Sequence, residues 1–178
     1  MPRMNIYDDR NSPAAARVTL SRMKNTVGQV PALAGVLAGG PGVLNACTEY
    51  AQNYMHSSLN PEERMLVLLV AAREFGNDYC FNLVMELVSF SNTSDRLLRA
   101  ARERRKLRKK THRALADFVC AVVNDGAEYV RDEQFGNLRK AGFSDQQVLE
   151  IIMGISVAWI WSTVSGVAGL SPAGEGSE

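Results

Sequence analysis

An all-α chain folding as one domain is what the sequence predicts, and three observations carry that prediction. No stretch alternates polar and apolar residues for long, and none lies between hairpin turns. Helix-start and helix-stop signals recur along the chain, among them Asn60-Pro61-Glu62-Glu63, Ser144-Asp145-Gln146-Gln147 and single glycines at 76, 142 and 169. Apolar or helix-former-rich runs fill the intervals, and 178 residues suffice for one domain with a full core. Seven to nine helices fit this pattern.

Residues 1–11 are polar and are expected to be disordered, with the single helical domain running from 12 to 170. Ser12 and Pro13 read as a cap and first-turn pair for a helix through about Lys24. Val30-Pro31 opens a short apolar segment that stops at Gly39-Gly40-Pro41, and Val43 to about Ser57 reads as the next helix. The central stretch, Leu59 to Ser91, reads as two helices meeting at a sharp corner. Asn60 caps the first helix, Pro61 suits its first turn and Glu63 completes a capping box. The run Met65 to Ala72 is apolar on every side and should be buried on most sides. Gly76 ends that helix, and Asn77 or Asp78 can cap the one that carries Cys80 in its first turn.

Beyond Ser91 a turn-like SNTSD leads into Arg96–Arg113, which holds ten of the chain's 20 Lys and Arg. It is one long exposed helix, or two helices meeting near Lys109–Thr111. Leu115 to Val123 is apolar, and Asn124-Asp125-Gly126 is a turn. Asp132 can cap a short helix ending at Gly142. Ser144 and Gln147 box the start of a last helix that runs to about Ala168, and 171–178 reads as a disordered tail. Along that last helix Gly154, Ala158, Ser162, Ser165 or Gly166, and Gly169 form a small-residue stripe that admits a close neighbour.

Composition narrows the function classes. Twenty Lys and Arg against 19 Asp and Glu leave a net charge of +1, so global electrostatics select no partner. Three cysteines without a CxxC pair argue against a disulfide scaffold or a zinc site and suit a reducing cytoplasm. Two histidines nearly exclude a multi-histidine metal site, and neither metal nor cofactor is expected. The N-terminus has no apolar h-region. Ile151 to Leu170 lacks charge over about the twenty residues that a membrane span needs. Its glycines, serines and threonine, and the missing basic flank, favour a buried helix in a bundle or oligomer, with no membrane.

The corner is where a resemblance enters. An LxPxER start, an apolar helix and a corner reading Tyr79-Cys80 before a second apolar helix resemble the carboxymuconolactone decarboxylase and alkylhydroperoxidase D superfamily. Leu138 to Glu150 is similar to the L-x-x-A-G-F-S-x-x-x-x-L-E stretch of its peroxidase-related branch, and Val30-Pro31 and Gly40-Pro41 sit where that branch often has prolines. The resemblance covers roughly residues 30 to 170. It implies an alkylhydroperoxidase D-like helical domain built on a helical hairpin, in a homo-oligomer (dimer, trimer or hexamer). The family's peroxidases use two cysteines as nucleophile and resolver, with a glutamate and a histidine moving protons. Carried onto this chain, the second cysteine is Cys80, the first falls on Asn77, the histidine on Val84 and the glutamate on Met65.

Two readings of Cys80 follow. It is a small buried hydrophobe at an inherited position. Alternatively, it is a one-cysteine peroxidatic thiol poised by the helix start, assisted by Tyr79 and resolved by an external thiol, Cys47 or Cys120. Its substrate would be a hydroperoxide or another small organic molecule. Glu62, three residues before Met65, is the acid that can stand in for the missing glutamate; with Glu63 it also complements the helix N-terminus. His56 reads as a helix C-terminus complement or a displaced proton shuttle. Glu86 reads as exposed, or as a buried acid. Trp159 and Trp161, with Phe75, Phe81 and Tyr79, wall an apolar pocket or pack a core. Arg96–Arg113 could hold a phosphate backbone, but lacks aromatic interleaving and a helix-turn-helix pattern, so nucleic-acid or anion binding is the least favoured class.

Overall fold

The computed structural model describes residues 2–89, 107–126 and 130–172, and eight helices and no strand occur among them. These are α1 (Ala14–Val27), α2 (Ala32–Leu37), α3 (Pro41–Met55), α4 (Pro61–Glu74), α5 (Asp78–Ser89), α6 (Lys110–Asn124), α7 (Asp132–Lys140) and α8 (Asp145–Ala168). The all-α expectation holds.

The fold is built around α4. Asn60 accepts from the Glu63 N–H at 3.0 Å and Glu63 returns a bond to the Asn60 N–H at 3.0 Å, so the capping box forms as read. Every residue from Met65 to Ala72 is buried. Such all-round burial needs neighbours on every side, and α5, α6 and α8 supply them. Each large apolar side chain removed from water is worth roughly 1.5–3 kcal/mol, so α4 is the element the fold can least spare. A second, smaller core gathers Ala16, Leu20, Leu33, Leu37 and Leu44 from α1, α2 and α3.

The last helix begins as read: Ser144 Oγ accepts from the Gln147 N–H at 3.2 Å, and Gln147 bonds back to the Ser144 N–H at 3.0 Å. Its Glu150 reaches the turn between α3 and α4, accepting from the Ser58 hydroxyl at 2.6 Å and the Ser58 N–H at 3.1 Å. The small-residue stripe works as close packing. A Cβ on Gly154 would stand 2.5 Å from the ring of the fully buried Tyr54.

Several local readings are corrected. The N-terminal residues were expected to be disordered, yet the Arg3 N–H bonds Ala168 O at 2.7 Å and the Tyr7 N–H bonds Gly35 O at 3.1 Å. Polar side chains gave no sign of this because the strap docks through its backbone. At Gly35 a Cβ would meet Tyr7 O at 2.5 Å, so only glycine lets the strap cross α2. Ser12 does not cap α1. Pro13 takes the cap position and Ser12 is buried, its hydroxyl unpartnered among the described residues. The helix also continues past Lys24 to Val27, where Gly28 turns it with φ +84°. Asp132 is the first residue of α7 rather than its cap; the Arg131 N–H donates to Gln134 Oε1 at 2.9 Å. Helix α6 starts after Lys109, where the two-helix reading put a boundary, whereas 90–106 and the tail from 173 lie outside the described residues.

Candidate functional site

The corner between α4 and α5 is held by one residue acting three times. Gly76, in the left-handed region at φ +66°, donates to Arg73 O at 3.0 Å, and the Asn77 N–H reaches Ala72 O at 3.4 Å, closing α4 with a Schellman motif. The Asn77 side chain opens α5, its Oδ1 accepting from the Cys80 N–H at 2.7 Å. Its Nδ2 donates to Ser162 O on α8 at 2.9 Å. Of the two caps the sequence offered, Asn77 is the one used. Where the resemblance implies a first cysteine, the chain has a structural joint.

Cys80 follows directly and is fully buried. Its Sγ lies 3.9 Å from Ala158 O, under the small-residue stripe of α8. Burial opposes the poise toward thiolate that the helix start offers. Burial pushes the Cys80 thiol up to about 11, against a smaller downward pull from the neighbouring Ser162 hydroxyl. The helix start does not overcome loss of solvent. Met65 and Val84, at the positions implied for the glutamate and the histidine, are buried apolar side chains in the same core as Cys80. The groups that shift this thiol are its own burial and the Ser162 hydroxyl.

The remaining candidates are dispersed. The Tyr79 hydroxyl accepts from the Leu33 N–H at 3.0 Å and so ties α5 to the start of α2; burial raises its pKa above the tyrosine norm. Glu62 faces α6 instead of α5: it takes Lys109 Nζ at 2.8 Å, with His112 Nε2 at 3.7 Å. His56 ends α3, its Nδ1 2.8 Å from Gln52 O, as a C-terminus complement does. Glu86 is exposed. Tyr79 packs on the small core, Phe75 and Phe81 on the large one, and Trp161 on both, while Trp159 is exposed, so the five aromatics are spread over two cores and the surface.

The three cysteines are free thiols. Cys47 packs on the small core, and Cys120, on α6, lies 3.9 Å from Arg73 Nη2 in the last turn of α4, where burial lifts its thiol to about 11. Of the basic stretch, Arg96–Lys106 lies outside the described residues. Within them Arg113 donates to the carbonyls of Leu107 and Arg108, and Lys109 is paired with Glu62.

Two residues escaped sequence reasoning. Ser162 is 8% exposed, and no hydroxyl partner other than the Cys80 thiol reaches it among the described residues. His112 is 5% exposed, and burial, then Lys109, lowers its pKa. A serine in a small-residue stripe and a histidine inside a basic run gave no local sign of either environment.

This architecture, a hydrophobic α4 flanked by α5, α6 and α8 with a cysteine in the turn after the corner, is the alkylhydroperoxidase D-like fold. Solved structures agree. An uncharacterized peroxidase-related protein from Silicibacter sp. TM1040 superposes with a TM-score of 0.82 at 19% identity, over 98% of this chain and 95% of its own. The alkylhydroperoxidase AhpD core of a peroxidase-related protein from Ralstonia eutropha JMP134 gives 0.76 at 19% identity, over 98% and 93%. A cysteine-to-alanine variant of the debrominase Bmp8, solved with 2,3,4-tribromopyrrole, gives 0.83 at 14% identity, over 98% and 93%. No protein-family model and no curated protein sequence matches the chain.

Proposed function

We propose that this protein is a divergent alkylhydroperoxidase D-like protein without two-cysteine peroxidase activity, working as a cytoplasmic interaction or small-ligand module. One observation carries the reading: the corner that would hold a dithiol holds Asn77 as a three-way joint and seals Cys80 beneath α8. With its thiol at about 11, Cys80 is ionised in roughly one molecule in ten thousand at pH 7. Attack on a peroxide needs the thiolate and a proton donor for the departing oxygen, and neither Met65 nor Val84 can donate one.

A second reading has one observation in its favour. The Ser162 hydroxyl beside Cys80 has a hydrogen to offer, so an oxygen atom of a hydroperoxide drawn between them would find a donor. The thiolate would attack the O–O bond, giving a sulfenic acid and an alcohol; one external thiol would then form a mixed disulfide with loss of water, and a second would release the cysteine, leaving the two external thiols joined as a disulfide. That route requires α8 to lift from the corner.

Thiol titration separates the two. In the folded protein a disulfide reagent should modify Cys47 and Cys120 before Cys80, which should react only after unfolding. No hydroperoxide should be consumed with a dithiol donor. Preferential modification of Cys80 at neutral pH, with turnover lost in Cys80→Ser, would establish the one-cysteine enzyme instead.

A further inference from the structure

Helices α6 and α7 flank a cleft of about 400 Å³, at the low end of the volumes that hold small molecules. Asn77 and Cys80 take no part in its walls. Ala114, Asp117, Ala121 and Asn124 recur at steps of three and four residues and so turn one face of α6 to the cleft, with Cys120 beside them. Arg131 and Glu133, at the start of α7, line it from the other side, and Asp125 stands at the C-cap of α6. Four charged residues therefore line one cleft: Asp117, Asp125 and Glu133 with carboxylates, and Arg131 with its guanidinium. Among the described residues none of these four has an ion-pair partner, whereas Lys24 pairs with Asp9, Arg73 with Glu74, Lys109 with Glu62 and Arg139 with Asp145. All four are exposed, so a ligand reaches them without any helix moving.

We propose that this cleft binds a basic α-amino acid of the lysine or arginine kind. The charges set the class. Three carboxylates against one guanidinium favour a cationic guest and repel an anion. The guanidinium in turn favours a guest that also carries a carboxylate, which its forked N–H donors can hold as a pair. A basic amino acid has two cationic groups and one carboxylate, and so meets both kinds of wall group. A metal ion suits the cleft poorly, because no three acidic, histidine or cysteine side chains among the described residues stand close enough to hold one. Spacing favours a long guest. Asp117 and Asp125 are eight residues apart, so about 12 Å separates them along the axis of α6. Carboxylates reaching in from both ends leave between them the span of an extended lysine or arginine. In this arrangement Arg131 takes the α-carboxylate, Asp125 and Glu133 take the α-ammonium, and Asp117 takes the side-chain cation. The inference stands whether or not Cys80 reacts.

Isothermal titration calorimetry of the full chain at low ionic strength tests it, with L-arginine and L-lysine as probes. At least one of them should bind with one site per chain, and added salt should weaken it, because the wall charges are exposed. L-Glutamate should not bind. Agmatine and cadaverine, which lack the carboxylate, should bind severalfold more weakly than the matching amino acid. Arg131→Gln should weaken the amino acid severalfold without weakening the amine, whereas Asp117→Asn should weaken both. Glu133→Gln, on the opposite wall, should weaken both as well and covers the case in which the Asp117 variant misfolds. Arg22→Gln, on an exposed part of α1 away from the cleft, should bind as the wild type does. Cys120 supplies a second readout: saturating amino acid should slow its alkylation by iodoacetamide and leave Cys47 unaffected. No binding of either amino acid at millimolar concentration, equal binding of L-glutamate or of the amines, unchanged affinity in Arg131→Gln, or an unprotected Cys120 would each overturn the proposal.

Discussion

Replacing Asn77 by alanine should loosen three helices together. The backbone Schellman closure of α4 survives, because its donors are the Gly76 and Asn77 N–H groups. Two side-chain bonds are lost. The cap on Cys80 N–H, at 2.7 Å and half-buried, is worth about 1 kcal/mol. The amide bond to Ser162 O, at 2.9 Å, contributes about another 1 kcal/mol net. The sum is about 2 kcal/mol, and for a domain of this size each kcal/mol moves the midpoint by roughly 2–4 °C, so a fall of about 4–8 °C is expected. Urea unfolding and calorimetry at one fixed protein concentration measure both, with the denaturant slope unchanged. Asn77→Asp keeps the cap but turns an acceptor toward the Ser162 carbonyl, so it should recover only the first half. An alanine variant within about 0.5 kcal/mol of wild type would show that Asn77 is not the joint described, since even the weaker bond alone should exceed that.

Gly154→Ala should cost about 1–3 kcal/mol by overpacking: the Tyr54 ring it would strike is fixed by its hydroxyl donating to Arg64 O at 2.8 Å. Gly136→Ala in α7, where a Cβ meets nothing within 4 Å, should instead gain about 0.5–1 kcal/mol, read from the same unfolding curves. His112 should make the fold acid-sensitive. Its folded pKa lies below the unfolded value, so the unfolded chain binds the extra proton and stability falls as pH drops through about 6.5; His112→Gln should flatten that part of a stability–pH profile. Glu150→Gln should lose about 1 kcal/mol, a modest figure because the site is solvated, and the loss should vanish in acid, where the wild-type carboxylate is itself protonated.

The parts of the fold legible in the sequence are those fixed by contacts within a few residues. Asn60 with Glu63 and Ser144 with Gln147 announce their helix starts because each box closes over three residues. The run Met65–Ala72 announces the central helix because nothing polar interrupts it. The same local logic misplaced Ser12, where proline backbone geometry took the cap position. The candidate site was only partly legible. Asn77 could be named as a cap, but its third bond crosses 85 residues to Ser162. Burial of Cys80 comes from α8 lying over it, so a thiol whose place in α5 favours the thiolate meets an environment that raises its pKa. Glu62 likewise faces α6, a partner far along the chain.

The bond from the Arg3 N–H to Ala168 O has a practical side. It brings residue 3 to the last turn of α8, so the segment from 3 to 168 nearly closes into a ring. A short flexible linker could join residue 3 to residue 168, with new ends opened at the exposed Ser58 turn or another surface loop. The same proximity warns against bulky fusions at residue 2. Cargo placed there hangs beside the last turn of α8, one residue from the backbone bond that fixes the strap.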